Sequence, residues 1–444
     1  MKHVLRVAVD RWSWIVITAV GLMPGVAGAR LGAQSPTDTV RLALRDVRER
    51  ALRFNPELAA VRLDTAIARG NLRQARLLPF NPTASVLLPG SGAGSSVNAS
   101  LSQELEVFGQ RGLRVAGAAA GVDRAAAGIA DVSRLTLGDV DRAFYRLVAI
   151  TSRVTLAEEV LGLNTRLADV AARELKAGQI SRLDENLAVI ELGRSRARAL
   201  AARREREQAA IELKRLVGLP MTTVVVPLLD PSLHPPNDTT HVRHDADASR
   251  ADSAQRLSLD DLLSEALARR PDLQATSAQI RQAEAVARLA ARSALPNVVV
   301  SASTEDAAAG GRTIRPGIGI ALPFFNRNQG ETEARRAALQ QVELERAALL
   351  IRVRAEVGSA LAAYRTASAE AEGLEATVLL PARENRRLLE IAYREGKFGL
   401  PVLILVRNQA IDAEVEYVAA WLAEREARAA LDQAIGAVSM TVPQ

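Results

Sequence analysis

Val97-Asn98-Ala99-Ser100-Leu101-Ser102-Gln103-Glu104-Leu105-Glu106-Val107 decides how the rest of the chain is read. Val97, Ala99, Leu101, Leu105 and Val107 alternate with Asn98, Ser100, Ser102, Glu104 and Glu106, so a strand here has one apolar face, broken only by Gln103, and one polar face. Such period-two alternation over about 9 to 11 residues fits a tilted transmembrane β-strand. Ile318, Ile320, Leu322 and Phe324 repeat the apolar column opposite Gly317, Gly319, Ala321 and Pro323. Each strand has a partner upstream: about 83–88 precedes 97–107 across Pro89–Ser96, and about 298–305 precedes 314–324 across Asp306–Thr313. Four strands cannot close a barrel, and an open edge is not tolerated in lipid, so membrane strands require eight from a dimer or twelve from a trimer. On the residues alone, two soluble hairpins capping a helical bundle stand as the rival reading.

Outward from these strands the chain is written twice. Leu42-Ala-Leu44-Arg-Asp46, Ala51-Leu52 and Asn55-Pro56-Glu57-Leu58 recur 215 residues later as Leu257-Ser-Leu259-Asp-Asp261, Ala266-Leu267 and Arg270-Pro271-Asp272-Leu273. Leu78-Pro79 faces Leu295-Pro296, Val107-Phe108-Gly109-Gln110-Arg111 faces Phe324-Phe325-Asn326-Arg327-Asn328, and Lys176-Ala177-Gly178 faces Arg394-Glu395-Gly396. Self-similarity at so long a period marks duplication of a whole supersecondary unit. The expected layout is a first repeat at 30–220, a Pro/Asp/Thr/Ser-rich linker or crossover at 221–256, and a second repeat at 257–444.

Each repeat is expected to run helix, two strands, very long helix, sharp turn, helix, giving a mainly α fold with a small β part. Val140, Leu147, Val154, Leu161, Ala168 and Leu175 recur every seventh residue, and Leu350, Val353, Val357, Ala360, Tyr364, Ala367, Ala371, Leu374 and Val378 step by three and four. Both are coiled-coil seams. Helices over about 113–177 and 332–395 would reach roughly 95 to 100 Å, longer than a membrane is thick, so they belong in water. Pro381 should kink or divide the second.

The chain of 444 residues has 57 Lys+Arg against 51 Asp+Glu and is only 3% aromatic, too few rings for a self-contained barrel with two aromatic girdles. Only Lys2, Lys176, Lys214 and Lys397 are lysine, and the arginines are balanced by Glu without interleaved aromatics, which does not make a nucleic-acid surface. The absence of cysteine excludes disulfides, thiolate metal sites and cysteine nucleophiles. Lys2, Arg6 and Arg11, an apolar run from Trp12 to Val26, and Ala27-Gly28-Ala29 read as a signal peptide over 1–29, with a retained anchor as the alternative. No Gly-Lys-Ser/Thr phosphate loop is present.

The duplicated order, the Asn55-Pro56-Glu57-Leu58 and Arg270-Pro271-Asp272-Leu273 openings, the Phe-Gly-Gln-Arg and Phe-Asn-Arg-Asn turns, Ala392-Tyr393-Arg394-Glu395-Gly396 and Val217-Gly218-Leu219-Pro220 resemble the outer-membrane efflux protein family typified by TolC. The resemblance runs from about Thr39 to Val438, and Leu105–Arg111 is similar to the turn of its cobalt-zinc-cadmium branch. It implies a homotrimer whose twelve strands form one barrel among outer-membrane lipid and whose helices extend it through the periplasm. It further implies a passive exit duct, with no catalytic residue, cofactor or resident metal, docking on a periplasmic adaptor (membrane fusion protein) and an inner-membrane transporter. The rival classes are a periplasmic coiled-coil adaptor and a soluble scaffold.

The helix tips are the expected functional sites. Gly178 and Gly396 end the long helices, and Gly178, Gln179, Ile180 and Gly396 form the tip turns that the resemblance assigns to adaptor contact. Ser181 and Asp184 read as a capping box. By resemblance, Asp184 and Tyr393 match gate positions, with Phe398 and the adjacent Lys397 where a basic partner is usual. Val402 and Leu405 stand where relatives often carry acidic residues, so an apolar constriction replaces an acidic ring. His234, His241 and His244, with Asp238, Asp245 and Asp247, are read as linker residues, not as a metal site.

Overall fold

The first repeat of the computed structural model contains β1 (Thr39–Leu42), α1 (Leu44–Phe54), α2 (Pro56–Arg76), β2 (Thr83–Leu87), β3 (Asn98–Leu105), α3 (Gln110–Lys176) and α4 (Arg182–Val217), followed by β4 (Val224–Pro227). The second contains α5 (Leu259–Arg269), α6 (Pro271–Arg292), β5 (Val298–Asp306), β6 (Arg312–Ile320), α7 (Gln329–Leu374), a π-helical turn (Glu375–Leu379), α8 (Leu380–Arg394) and α9 (Leu400–Ile435). The structure describes residues 39–87, 97–228, 254, 257–306, 311–395 and 397–437. The signal-peptide segment, the 89–96 loop, the three linker histidines and Gly396 lie outside the described residues.

Each repeat opens with two helices where one was expected, and the reason is proline. A residue before proline is pushed out of the helical region; Asn55 (φ −64°, ψ 122°) and Arg270 (φ −63°, ψ 121°) both adopt extended backbone. Each break then docks on the end of its repeat's last helix. Asn55 accepts from Leu58 N and donates through Nδ2 to Leu216 O, both at 3.0 Å. At the matching place Arg270 donates to Ala434 O at 3.0 Å, to Glu356 at 2.7 Å and to Asp272 at 3.1 and 2.7 Å. Burial works against the charge on Arg270, but the bonds to Asp272 and Glu356 outweigh it and leave the pKa raised. α4 and α9 end at Gly218 (φ 64°) and Gly436 (φ 76°), left-handed positions that glycine takes without the Cβ penalty.

The largest core lies where α1, α3, α4, the π turn and α9 meet, around Phe144, Leu213, Leu379, Tyr417 and Trp421. Burying each such side chain contributes roughly 1.5–3 kcal/mol. Arg48 crosses from α1 to α3 and grips Asp141 with two bonds of 2.7 and 2.6 Å. A second core joins α5, α6, α7 and α9 through Leu262, Leu273, Val353, Val357, Leu361 and Leu431.

α3 runs unbroken for 67 residues, about 100 Å. Val140, Leu147, Val154 and Ala168 of its seam are buried. On α7 the buried residues after Val342 are Val353, Val357, Leu361, Tyr364, Ser368 and Ala371, so Leu361 and Ser368 take the places expected for Ala360 and Ala367. A straight helix drifts from a 3.5-residue repeat, which moves the seam by one position. The π turn falls just before Pro381, whose missing N–H and ring bulk prevent a regular bond to the preceding turn.

The main sheet has the order β2-β3-β5-β6 with every pair antiparallel. Its central pair, β3 with β5, joins the two repeats, with Ser100 opposite Ser303 and Leu105 opposite Val298. A small parallel pair also forms, Thr39 to Leu42 of β1 against Val224 to Pro227 of β4. The stretch read as linker therefore begins as a strand that ties the first repeat's two ends together.

Candidate channel face and helix tips

The register sorts the main sheet into two faces. Ala84 is opposite Leu101, Leu101 opposite Ala302, and Val300 opposite Ile318, so apolar side chains share one face. Ser85, Ser100 and Ser303 lie in one row of the other face, and Thr83, Ser102 and Ser301 in the next. Ser85 Oγ and Ser100 Oγ share a hydrogen bond of 2.7 Å. On the apolar side Ile318 is 79% exposed, which suits lipid contact and not a buried core. Gln103, the polar break within β3, turns its Nε2 back to Phe80 O (2.9 Å) and Glu104 O (2.8 Å), so its amide donors are satisfied by backbone. The ladder ends at Leu105 and Ile320, short of the expected Val107 and Phe324. β2 and β6 stand at the two edges, each paired on one side only among the described residues.

The first helix tip is a pair of caps set back to back. Gly178 (φ 72°) lets the chain reverse, Gly178 N bonds Leu175 O at 2.9 Å, and Gln179 N bonds Glu174 O at 2.8 Å, which closes the end of α3. Ile180 then packs into the tip cluster. Ser181 opens α4: its Oγ accepts from Asp184 N at 3.2 Å, and its own N–H donates to Asp184 Oδ2 at 3.1 Å. The Ser181 hydroxyl also donates to that carboxylate at 2.7 Å. Asp184 is thus held within its own cap, and among the described residues no hydrogen bond joins it to Tyr393.

The second tip shares the closing bond, Lys397 N to Ala392 O at 3.0 Å, but α9 starts at Gly399 with no side-chain cap. Lys397 pairs with Glu395 at 2.6 Å. Phe398, Val402 (39% exposed) and Leu405 (58% exposed) present apolar surface around the start of α9. Tyr393 sits among Leu167, Leu389 and Leu403, and its hydroxyl pKa is pushed up first by burial and then by the charge of Glu174.

Two contacts at this end were not singled out in the sequence. Arg407 lies beside Glu390 at 3.8 Å in a cavity of about 290 Å³ shared with Arg166, Tyr393 and Arg394. Burial lowers its pKa, and repulsion from Arg386 and Arg166 adds to this. Asn408 ties α9 to α4 through Glu191 at 3.3 Å. Only an alignment of helix faces reveals these pairs, because each residue alone looks like ordinary surface charge.

Among the described residues no group of three or more His, Cys, Asp or Glu could hold a metal ion, and no helix is long and apolar enough to cross a membrane. The family model of the outer membrane efflux protein matches residues 47–219 and 262–437, one stretch in each repeat. The cobalt-zinc-cadmium resistance protein CzcC of Cupriavidus metallidurans is 24% identical over 385 residues, 86% of this chain and 87% of that protein. Among solved structures, the Neisseria gonorrhoeae MtrE outer membrane channel in its open state is 21% identical, with a TM-score of 0.67 over 88% of each chain. The Campylobacter jejuni CmeC outer membrane channel aligns at a TM-score of 0.69 with 14% identity, over 88% of this chain and 85% of that one. With both repeats matched, the chain belongs to the outer membrane efflux protein family, whose members are passive channels of the outer membrane with a periplasmic helical part, not enzymes.

Proposed function

We propose that three copies of this chain close into one duct that carries divalent metal cations from a periplasmic adaptor and an inner-membrane pump to the exterior. The sheet is the observation that carries this reading. It is largely apolar on one face and polar on the other, where serines stand beside Glu104 and Arg315, and it ends in two unclosed edges that lipid does not tolerate. Its strands alternate in direction, so β6 of one copy meets β2 of the next antiparallel, and three copies supply twelve strands. The cargo reading rests on the likeness to the cobalt-zinc-cadmium resistance protein over most of both chains. That polar wall mixes serines with charges of both signs, Glu104 and Arg315, and so presents no ring of carboxylates that would select a cation, which leaves the choice of substrate to the pump.

Gly178, Gln179, Ile180 and Gly396 are the proposed adaptor contacts. Asp184, Tyr393, Lys397 and Phe398 frame the gate, and Val402 and Leu405, three residues apart on one face of α9, form an apolar constriction that closes by dewetting. Membrane fractions extracted in mild detergent and sized with and without heating test the assembly. A heat-dissociated trimer is expected, and a water-soluble monomer overturns it. In planar bilayers, Val402→Ser with Leu405→Ser raises single-channel conductance; unchanged conductance removes both from the constriction.

A further inference from the structure

The apolar columns of the sheet continue past the ladder. Beyond Leu105 come Val107 and Phe108; beyond Ile320 come Leu322, Phe324 and Phe325, all exposed, with Phe325 at 96%. Three residues after Phe108 stands Arg111, and two after Phe325 stands Arg327. Each of these turns rests on the helix that precedes its strand pair. Arg111 donates to Arg76 O at 3.1 and 2.6 Å, and Asn328 donates to Ala290 O at 2.9 Å. That docking brings the last-turn arginines of α2 and α6, Arg73, Arg76 and Arg292, beside the phenylalanine turns.

The charge there is unbalanced. Among the described residues no carboxylate pairs with Arg73, Arg76, Arg292 or Arg327, and all four are exposed. The nearby carboxylates are engaged, Glu104 by Asn297 at 2.7 Å and Glu106 by Arg114 at 2.5 Å. Both repeats therefore pass in the same order from apolar column to aromatic turn to arginine. Aromatic side chains favour the boundary between hydrocarbon and headgroups, and basic residues next to it are drawn to anionic lipid.

We propose that this collar binds the phosphate groups of anionic phospholipids in the periplasmic leaflet. The position selects that leaflet, because the collar joins the membrane strands to the helices and the helices lie in the periplasm. A protein partner would not require the basic band to follow the lipid-facing columns without interruption in both repeats. The inference rests on reading those columns as lipid-facing, and it adds a lipid preference that a barrel alone does not need.

The test is native mass spectrometry of the delipidated, detergent-solubilised protein titrated with phosphatidylglycerol or phosphatidylcholine. The expected result is preferential retention of phosphatidylglycerol, weakened about a hundredfold in Arg76→Gln/Arg292→Gln/Arg327→Gln, as loss of three basic contacts with an anionic surface implies. Arg196→Gln/Arg198→Gln/Arg206→Gln, an equal charge change on α4 away from the collar, keeps the preference. Equal retention of the two lipids overturns the proposal, as does an equal loss in both triple variants. A protein that stays in solution without detergent overturns the lipid-facing reading itself.

Discussion

The two repeats solve the same junction with different chemistry. Asn55 meets the end of α4 with a neutral amide, whereas Arg270 meets the end of α9 with a guanidinium held by Asp272 and Glu356. They differ again along the long helix, which is continuous as α3 in the first repeat but interrupted by the π turn in the second. Duplication preserved where the contacts fall and left their kind free to diverge. The second repeat combines its charged junction with an interrupted helix and a tip that has no side-chain cap, whereas the first combines a neutral junction with a continuous helix and a capped tip.

Breaking the two junctions in parallel gives the largest expected effect. Arg270→Ala strands Asp272 and costs about 3–5 kcal/mol, whereas Asn55→Ala loses a cap and one buried bond, about 1–2 kcal/mol; denaturant unfolding of the detergent-solubilised protein compares them. Equal losses would mean that the charge at Arg270 adds nothing. The glycines that end α4 and α9 should differ next. A Cβ on Gly218 would fall 2.6 Å from Phe54 O, while one on Gly436 meets nothing nearer than 3.5 Å. Gly218→Ala therefore costs roughly 2–4 kcal/mol and Gly436→Ala about 1 kcal/mol, the latter for backbone strain alone.

Acid sharpens the same contrast by a smaller amount. Burial raises the Asp272 pKa, but the bond to Arg270 outweighs it and leaves the group below its ordinary 3.8. Its stabilisation is complete above that ordinary value and is lost as pH falls through the lowered folded pKa. Stability should decline in that window in the wild type, and Asp272→Asn should flatten the decline; an unchanged slope places the acid sensitivity elsewhere. The smallest effect lies at the tips. Ser181→Ala should cost about 1 kcal/mol and speed hydrogen exchange at the start of α4, while Gly399→Ser should gain only a few tenths of a kcal/mol at α9.

Much of this was legible in the sequence because period and order survive without neighbours. The alternation from Val97 to Leu105 gave both sheet faces, and Gly178 with Ser181 and Asp184 gave the first tip down to its bonds. What escaped depended on partners far along the chain. Val224-Val225-Val226-Pro227 is too short to alternate, and it becomes a strand only against Thr39–Leu42. Arg270 reads as a solvated charge until Ala434 O arrives from 164 residues away. Arg407 and Glu390 are brought together only by the packing of α8 on α9.

The pairing of β3 with β5 also sets the order in which the molecule can be made. Ala99 N reaches Thr304 Oγ1 across 205 residues, while the helical hairpins are built from neighbours in sequence. Local contacts form early and distant ones late. The α3–α4 hairpin can therefore take shape from local contacts, whereas the main sheet, like the core that joins Phe144 to Trp421, waits for both repeats. Until then four amphipathic strands keep their edges open, and such edges invite aggregation in water. Closing those two edges and covering the apolar face is therefore what ends the exposure of the strands, and neither is achieved within one copy among the described residues.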